Sequence, residues 1–214
     1  MNVLVTGASR GIGAAVAVEL AGPGKTVFGI DKSPDTGTCS AIERKGGKAV
    51  FCRADVTDPQ AVDAVFSQVG TLDVLVLCAG IPFRYERLAK TLQEEFEAQW
   101  RVQVHGAMLC CRAALPLMGE GGHIVFLVSN VTEGEPPGFM APYVTAKYGL
   151  MGFSRALAVE TAKKGIRVHR VHPGMTDTDL IRDLPRPVKE AAAEAAGGRL
   201  PGPEDVAREV AMLL

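Results

Sequence analysis

Two side chains able to move a proton, Tyr143 and Lys147, stand four positions apart in Tyr143-Val144-Thr145-Ala146-Lys147. On a helix that spacing puts them on one face, one turn from each other. A free tyrosine has a pKa near 10 and is a poor acid or base at neutral pH. An ammonium one turn away favours the phenolate and brings the group into range. Taken alone, the pair reads better as a surface tyrosine beside a surface lysine, because the pattern is common by chance. Ser129 follows the apolar run Ile124 to Val128. A hydroxyl at the carboxyl end of a strand can hold a substrate oxygen, or simply cap the strand.

A second cluster opens the chain. The run Val3 to Thr6 leads into Thr6-Gly7-Ala8-Ser9-Arg10-Gly11-Ile12-Gly13 and then the helix-like Ala14 to Leu20. Glycines at a strand-to-helix turn let the backbone approach a pyrophosphate, whose charge meets the free N–H groups of the helix start. The spacing is GxxxGxG rather than the commoner GxGxxG, and by itself it is also the signature of a plain structural turn. Asp31 stands eighteen positions after Gly13, close to the roughly 20 at which an acidic side chain holds a ribose 2′-hydroxyl. Strand, glycine turn, helix, strand and acid together point to a dinucleotide.

These residues need a frame to bring them together, and the alternation of short β-branched runs with helical stretches supplies one. Val3–Thr6, Thr26–Ile30, Ala49–Cys52, Val74–Cys78, Ile124–Val128 and Arg167–Val171 read as strands, most of them apolar throughout, as befits strands covered on both faces. Helices are expected at about 12–20, 38–45, 59–69, 91–104, 106–118, 143–164 and 204–214. This rhythm requires right-handed parallel crossovers, hence an α/β doubly wound parallel sheet in a Rossmann-type three-layer sandwich. The Pro/Gly segment Glu133 to Pro142 and the Ala-rich stretch Glu190 to Gly198 read as loops between elements, and residues 1–214 read as a single domain.

Composition excludes several classes. Lys+Arg 23 against Asp+Glu 24 leaves a net charge of −1, so no global field draws nucleic acid or an anionic membrane. The longest apolar stretch, Val74 to Ile81, is far below the roughly 20 residues of a membrane span, and the N-terminus has no signal-peptide pattern. A cytoplasmic protein is expected. Cys39, Cys52, Cys78, Cys110 and Cys111 are odd in number and lack CxxC spacing, so they read as reduced, buried thiols. His105, His123, His169 and His172 lack ligand spacing, and no metal is expected. Arg84, Arg87 and Lys90 read as a solvated basic group.

With these motifs in order, the chain resembles the short-chain dehydrogenases/reductases, in their core, roughly 250-residue form. The resemblance rests on TGASRGIG at 6–13, Asp31, Asp55-Val56-Thr57-Asp58, Cys78-Ala79-Gly80, Ser129, Tyr143 with Lys147, Pro173-Gly174 with Thr178, and Pro203-Glu204-Asp205-Val206-Ala207. It implies a nicotinamide cofactor and hydride transfer between an alcohol and a ketone or β-ketoacyl group. Tyr143 is then the acid/base, Ser129 the hydroxyl orienting the substrate oxygen, and Lys147 the residue that lowers the tyrosine pKa and grips the nicotinamide ribose. The resemblance places Gly7, Ser9, Arg10, Gly11, Ile12 and Gly13 at the pyrophosphate and Asp31 at the adenosine ribose. It puts Asp55, Val56, Ala79 and Gly80 around the adenine, and Pro173, Gly174 and Thr178 at the carboxamide.

Four departures stand out. Cys78 replaces the family's asparagine before Ala-Gly, and Gln103 falls where the family has a catalytic asparagine that positions a water in the proton relay. Ser129 lies fourteen rather than thirteen residues before Tyr143. The chain stops at Leu214 before the family's final strand, so either it is naturally short or its true C-terminus is missing, and the second is the expectation. NAD is expected over NADP because Asp31 repels a 2′-phosphate, although Arg10 and Lys32 pull the other way. Leu180, Ile181, Leu184 and Pro185 on one side, with Val131, Phe139 and Met140 on the other, predict a hydrophobic carbonyl or alcohol substrate; Glu133 and Glu135 are expected near the mouth. The helices at 106–118 and 143–164 resemble those of the family's side-by-side homodimer, the first carrying Met108, Leu109, Ala113 and Leu117. The competing reading is a nucleotide-binding scaffold or sensor with little turnover.

Overall fold

The computed structural model describes residues 1–214. Six strands form: β1 (Asn2–Thr6), β2 (Thr26–Asp31), β3 (Lys48–Arg53), β4 (Val74–Leu77), β5 (His123–Leu127) and β6 (Arg167–Val171). All neighbours pair in parallel, in the order β3-β2-β1-β4-β5-β6. Every residue of β4 and β5 is buried, which explains runs that are apolar throughout. The order reverses between β1 and β4, and in such sheets a crevice opens there beyond the carboxyl ends of the strands.

Eight α-helices cover the two faces: α1 (Gly11–Glu19), α2 (Thr38–Arg44), α3 (Pro59–Phe66), α4 (Gln93–Trp100), α5 (Gly106–Ala114), α6 (Ala141–Thr161), α7 (Arg186–Ala195) and α8 (Pro203–Ala211). Each face has its own core. One cluster joins Leu4, Leu75 and Phe126 to α3, α5 and α6 residues such as Val62, Leu109 and Leu157. On the opposite face Val3, Val5 and Val125 meet Val16, Ala17 and Leu20 of α1 and Val206, Ala207 and Val210 of α8. The first helix and the last therefore seal the same cluster.

The structure corrects several expectations. The stretches 91–104 and 106–118 form one continuous rod, α4 running into α5 through a π-helical turn, Arg101–His105. No proline separates them. Gly106 adapts instead to contact, because a Cβ there would lie 2.8 Å from Val56 Cγ2. The Ala-rich stretch is not a loop but the body of α7, as high alanine propensity dictates; Gly197 and Gly198, at φ 87° and 104°, end it. Ser129 stands two residues beyond β5 rather than directly at its end. Only Cys110 and Cys111 are buried thiols; Cys39, Cys52 and Cys78 are partly exposed. Leu109 is consumed by its own core, which narrows the apolar stripe expected of α5.

Candidate active site

The glycine turn is built by contact. Gly7 sits at φ 71°, and its N–H donates to the Ile30 carbonyl at 2.8 Å. Gly13 lies so close behind it that a Cβ there would stand 2.1 Å from the Gly7 oxygen. Arg10 precedes α1 without a side-chain cap, and no acidic residue occupies the first turn, so the N–H groups of this helix start are left for an external anion. The Thr6 hydroxyl oxygen accepts from the N–H groups of Cys78 and Ala79, both at 3.1 Å. It pins the turn after β4, where cysteine cannot make an asparagine's hydrogen bonds.

Asp31 ends β2 with a fixed carboxylate. One oxygen accepts from the Ser9 N–H at 3.1 Å and the Ser9 hydroxyl at 2.7 Å, and the other accepts from the Ser33 N–H at 2.9 Å. A carboxylate has about four acceptor positions, so one is left for a ribose hydroxyl. Exposed Arg10 lies beside it, 3.1 Å from the Ser33 hydroxyl and 3.5 Å from Asp179.

These groups face a cavity of about 880 Å³ at the carboxyl edge of the sheet. Its wall includes Gly7 and Arg10 to Gly13, Asp31 and Gly80, then Gln103, Tyr143 and Lys147, and finally Pro173, Gly174 and Thr178. Of the other expected residues, Ser9 is turned to Asp31. Asp55 is exposed, its carboxylate accepting from the Thr57 N–H at 2.9 Å. Val56 and Ala79 line a small neighbouring void with Gln103. Ser129 is buried just behind the wall, its hydroxyl accepting from the Val131 N–H at 3.3 Å. Glu133 and Glu135 reach the wall as expected; Phe139 and Pro185 do not. Phe139 is held outward at φ 64° against Tyr85, ring centroids 5.1 Å apart.

Tyr143 and Lys147 lie in the first turns of α6, which Pro142 helps to start. Both are buried. The Lys147 ammonium donates to the Leu127 carbonyl at 2.8 Å and lies 5.5 Å from the Tyr143 ring centre. Phe83 stacks on Tyr143 at 4.3 Å. Burial pushes the Lys147 amine down to about 8. The expected lowering of the tyrosine is not found: burial pushes the phenol above its ordinary value, with only a Ser129 hydrogen bond pulling it down. The lysine's charge is directed at the end of β5 instead.

Sequence reasoning missed four contributors. Phe83 carries no motif signal, and Thr6, although it opens the TGASRGIG motif, was given no role of its own. The inner side of α7, with Val188, Ala192 and Ala195 on the cavity wall, was hidden by reading the segment as a loop. Gln99 was legible as an amide one helical turn before Gln103; it is buried and hydrogen-bonded to it.

A parallel sheet of this order, with a glycine turn and the Tyr143–Lys147 pair on one cavity, defines a Rossmann-type fold. Residues 1–188 match the family model described as short chain dehydrogenase. The chain is 35% identical over 210 residues to a 3beta-hydroxysteroid dehydrogenase of Mediterraneibacter gnavus, covering 93% of this chain and 75% of that protein. Its fold is similar to a short chain dehydrogenase from Burkholderia cenocepacia in complex with NADP, at TM-score 0.89 and 34% identity, covering 99% of this chain and 89% of that one. It is also similar to a 3-oxoacyl-[acyl-carrier protein] reductase from Brucella melitensis in complex with NAD, at TM-score 0.90 and 25% identity, covering 99% and 88%. The chain belongs to the short-chain dehydrogenase/reductase family. It is an NAD(P)-dependent oxidoreductase acting on CH–OH groups. None of its helices is long and apolar enough to cross a membrane.

Proposed function

We propose that this enzyme interconverts an apolar ketone, or a β-ketoacyl group, and the matching secondary alcohol, with Tyr143 as acid/base and NAD(H) preferred. The observation that carries the reading is the burial of Tyr143 and Lys147 together on the cavity that the glycine turn and Asp31 also line. The uncapped start of α1 and the remaining acceptor position of Asp31 fit a dinucleotide. When bound, its nicotinamide supplies or takes up the hydride.

Each side chain then has a task. Ser129 orients the substrate oxygen. In reduction, the carbonyl electron pair moves onto that oxygen, which takes the phenolic proton of Tyr143. Burial that keeps the phenol protonated supports the donor role. Lys147 stabilises the phenolate that remains and holds the nicotinamide ribose. Val131, Met140, Leu180, Leu184 and the inner side of α7 favour an apolar substrate, while Glu133 and Glu135 disfavour a polyanion. The hydroxysteroid and 3-oxoacyl relatives are compatible with that wall. Fixed Asp31 beside the ribose position supports NAD(H), since it repels a 2′-phosphate.

A panel of ketones, acyl thioesters and alcohols, followed by reduced-nicotinamide absorbance, identifies the substrate. On it, Tyr143→Phe is expected to lose about 10²–10⁴-fold in kcat with NADH affinity unchanged. Near-normal kcat would remove Tyr143 from the chemistry. We also infer a homodimer through the α4–α5 rod and α6, supported by Trp100 at the end of α4 and Tyr148 on α6, which stay 50% and 43% exposed. Sedimentation at micromolar concentration should show it; monomer alone would overturn it.

A further inference from the structure

Gln103, 3% exposed, sits in the π-helical turn with its side-chain oxygen buried and lacking any hydrogen-bond partner. An orphaned buried acceptor costs about 1–3 kcal/mol, so its orientation needs a cause. The cause can be followed amide by amide. Gln99 Nε2 donates to the Pro82 carbonyl at 3.0 Å and to the Ile81 carbonyl at 3.4 Å. Backbone carbonyls only accept, so the NH₂ of Gln99 must face them and its oxygen must face away. That oxygen accepts from Gln103 Nε2 at 2.5 Å. The oxygen of Gln103 is thereby the end of a one-way chain. Turning either amide over would set two donors or two acceptors against each other.

The residue carrying this free oxygen lines the main cavity together with Tyr143 and Lys147. We propose that Gln99 is a positioning residue: it locks the Gln103 amide with its oxygen free to accept a hydrogen bond from the water that resupplies protons to the Tyr143–Lys147 pair. The inference rests on the proposed acid/base role of Tyr143. In each reduction the substrate oxygen takes one proton from Tyr143, and one proton from solvent restores the phenol. The water held at Gln103 is the entry point of that proton. The side-chain amide does this work, and its polarity is set two carbonyls away, on the segment after β4.

The test uses Gln99→Met, Gln103→Met and the double variant, with Tyr143→Phe alongside. Each single glutamine variant is expected to lose about tenfold in kcat, short of the ~10²–10⁴-fold of proton transfer itself. NADH Kd and ketone KM should stay within about twofold, and the solvent deuterium isotope effect on kcat should rise. If Gln99 acts through Gln103, the double variant is no slower than Gln103→Met. Gln99→Met at wild-type kcat, or losses that multiply in the double variant, overturn the proposal. The side-chain amide resonances of Gln103 give a readout independent of turnover and of any variant's folding. In the wild type, one amide proton should be shifted and protected by the Gln99 bond. An amide resembling that of a solvated glutamine refutes the lock. A fully active Tyr143→Phe would instead refute the acid/base reading, while the amide spectrum still decides the orientation of Gln103.

Discussion

Gly13→Ala isolates the cofactor turn from the chemistry. The added Cβ would stand 2.1 Å from the Gly7 oxygen and 2.7 Å from the Gly7 carbonyl carbon, more than about 1 Å inside ordinary contact. Gly7 cannot yield: its N–H is bonded to Ile30 at 2.8 Å, and its own Cβ position is already 3.0 Å from Ala79 Cα. The start of α1 must move instead, by about 1 Å, carrying its N–H groups with it. Overpacking of this kind costs about 1–3 kcal/mol, or roughly 2–12 °C in Tm for a chain of this size. Misaligned N–H groups forfeit a hydrogen bond to a charged pyrophosphate, worth about 1.5–3 kcal/mol, so NADH Kd should rise by about 10–10²-fold. Gly152→Ala, in α6 with nothing within 4 Å of the added carbon, is the control. It should gain about 0.5–1 kcal/mol from helix propensity and leave Kd unchanged. Fluorescence titration of NADH and thermal melts read both. Gly13→Ala with Kd within twofold and Tm within about 1 °C of wild type would refute the packing argument.

Two further outcomes follow from charge. Burial lowers Lys147 from 10.5 to about 8, so between those values the folded protein has shed a proton that the unfolded chain keeps. Stability from this group therefore rises with pH across that window, while below about 8 both states are charged and the burial penalty is fully present. The Tm of the wild type minus that of Lys147→Met should climb between pH 8 and 10.5, the other thiols and phenols cancelling in the difference; a flat difference contradicts a buried amine. Asp31→Ala should weaken NADH and tighten NADPH, each by about tenfold, as the like charge opposite a 2′-phosphate disappears. A wild-type enzyme that already binds NADPH as tightly as NADH would defeat the assignment.

Most strands were legible because they are apolar through their centres, a pattern imposed by helices on both faces; β6, with Arg167, His169 and Arg170, is the exception. Their parallel arrangement followed from the need for crossovers rather than from any residue, whereas their order came only with the structure. The glycine turn was equally open to inspection, since Gly7 and Gly13 occupy positions where side chains do not fit. What sequence could not supply was the state of the side chains. Tyr143 and Lys147 share a face as their spacing requires, yet the ammonium points to Leu127 and the phenol is governed by burial, a property of the whole fold. The π-helical turn at Arg101–His105 leaves no composition signal, and the polarity of the two glutamines depends on carbonyls at Ile81 and Pro82. The Ala-rich helix α7 was misread because position between motifs was weighed above propensity.

The shared cluster of α1 and α8 bears on how the chain acquires its fold. Val16, Ala17 and Leu20 leave the ribosome about 190 residues ahead of the residues that cover them, Val206, Ala207 and Val210. β1 likewise waits for β4, whose Val74 pairs with Val3 across about 70 residues of intervening chain. A growing polypeptide can therefore assemble β1, β2 and β3 while one side of its first helix stays bare. Until α8 docks, that apolar surface is of the kind that chaperones hold and that draws unfinished chains together.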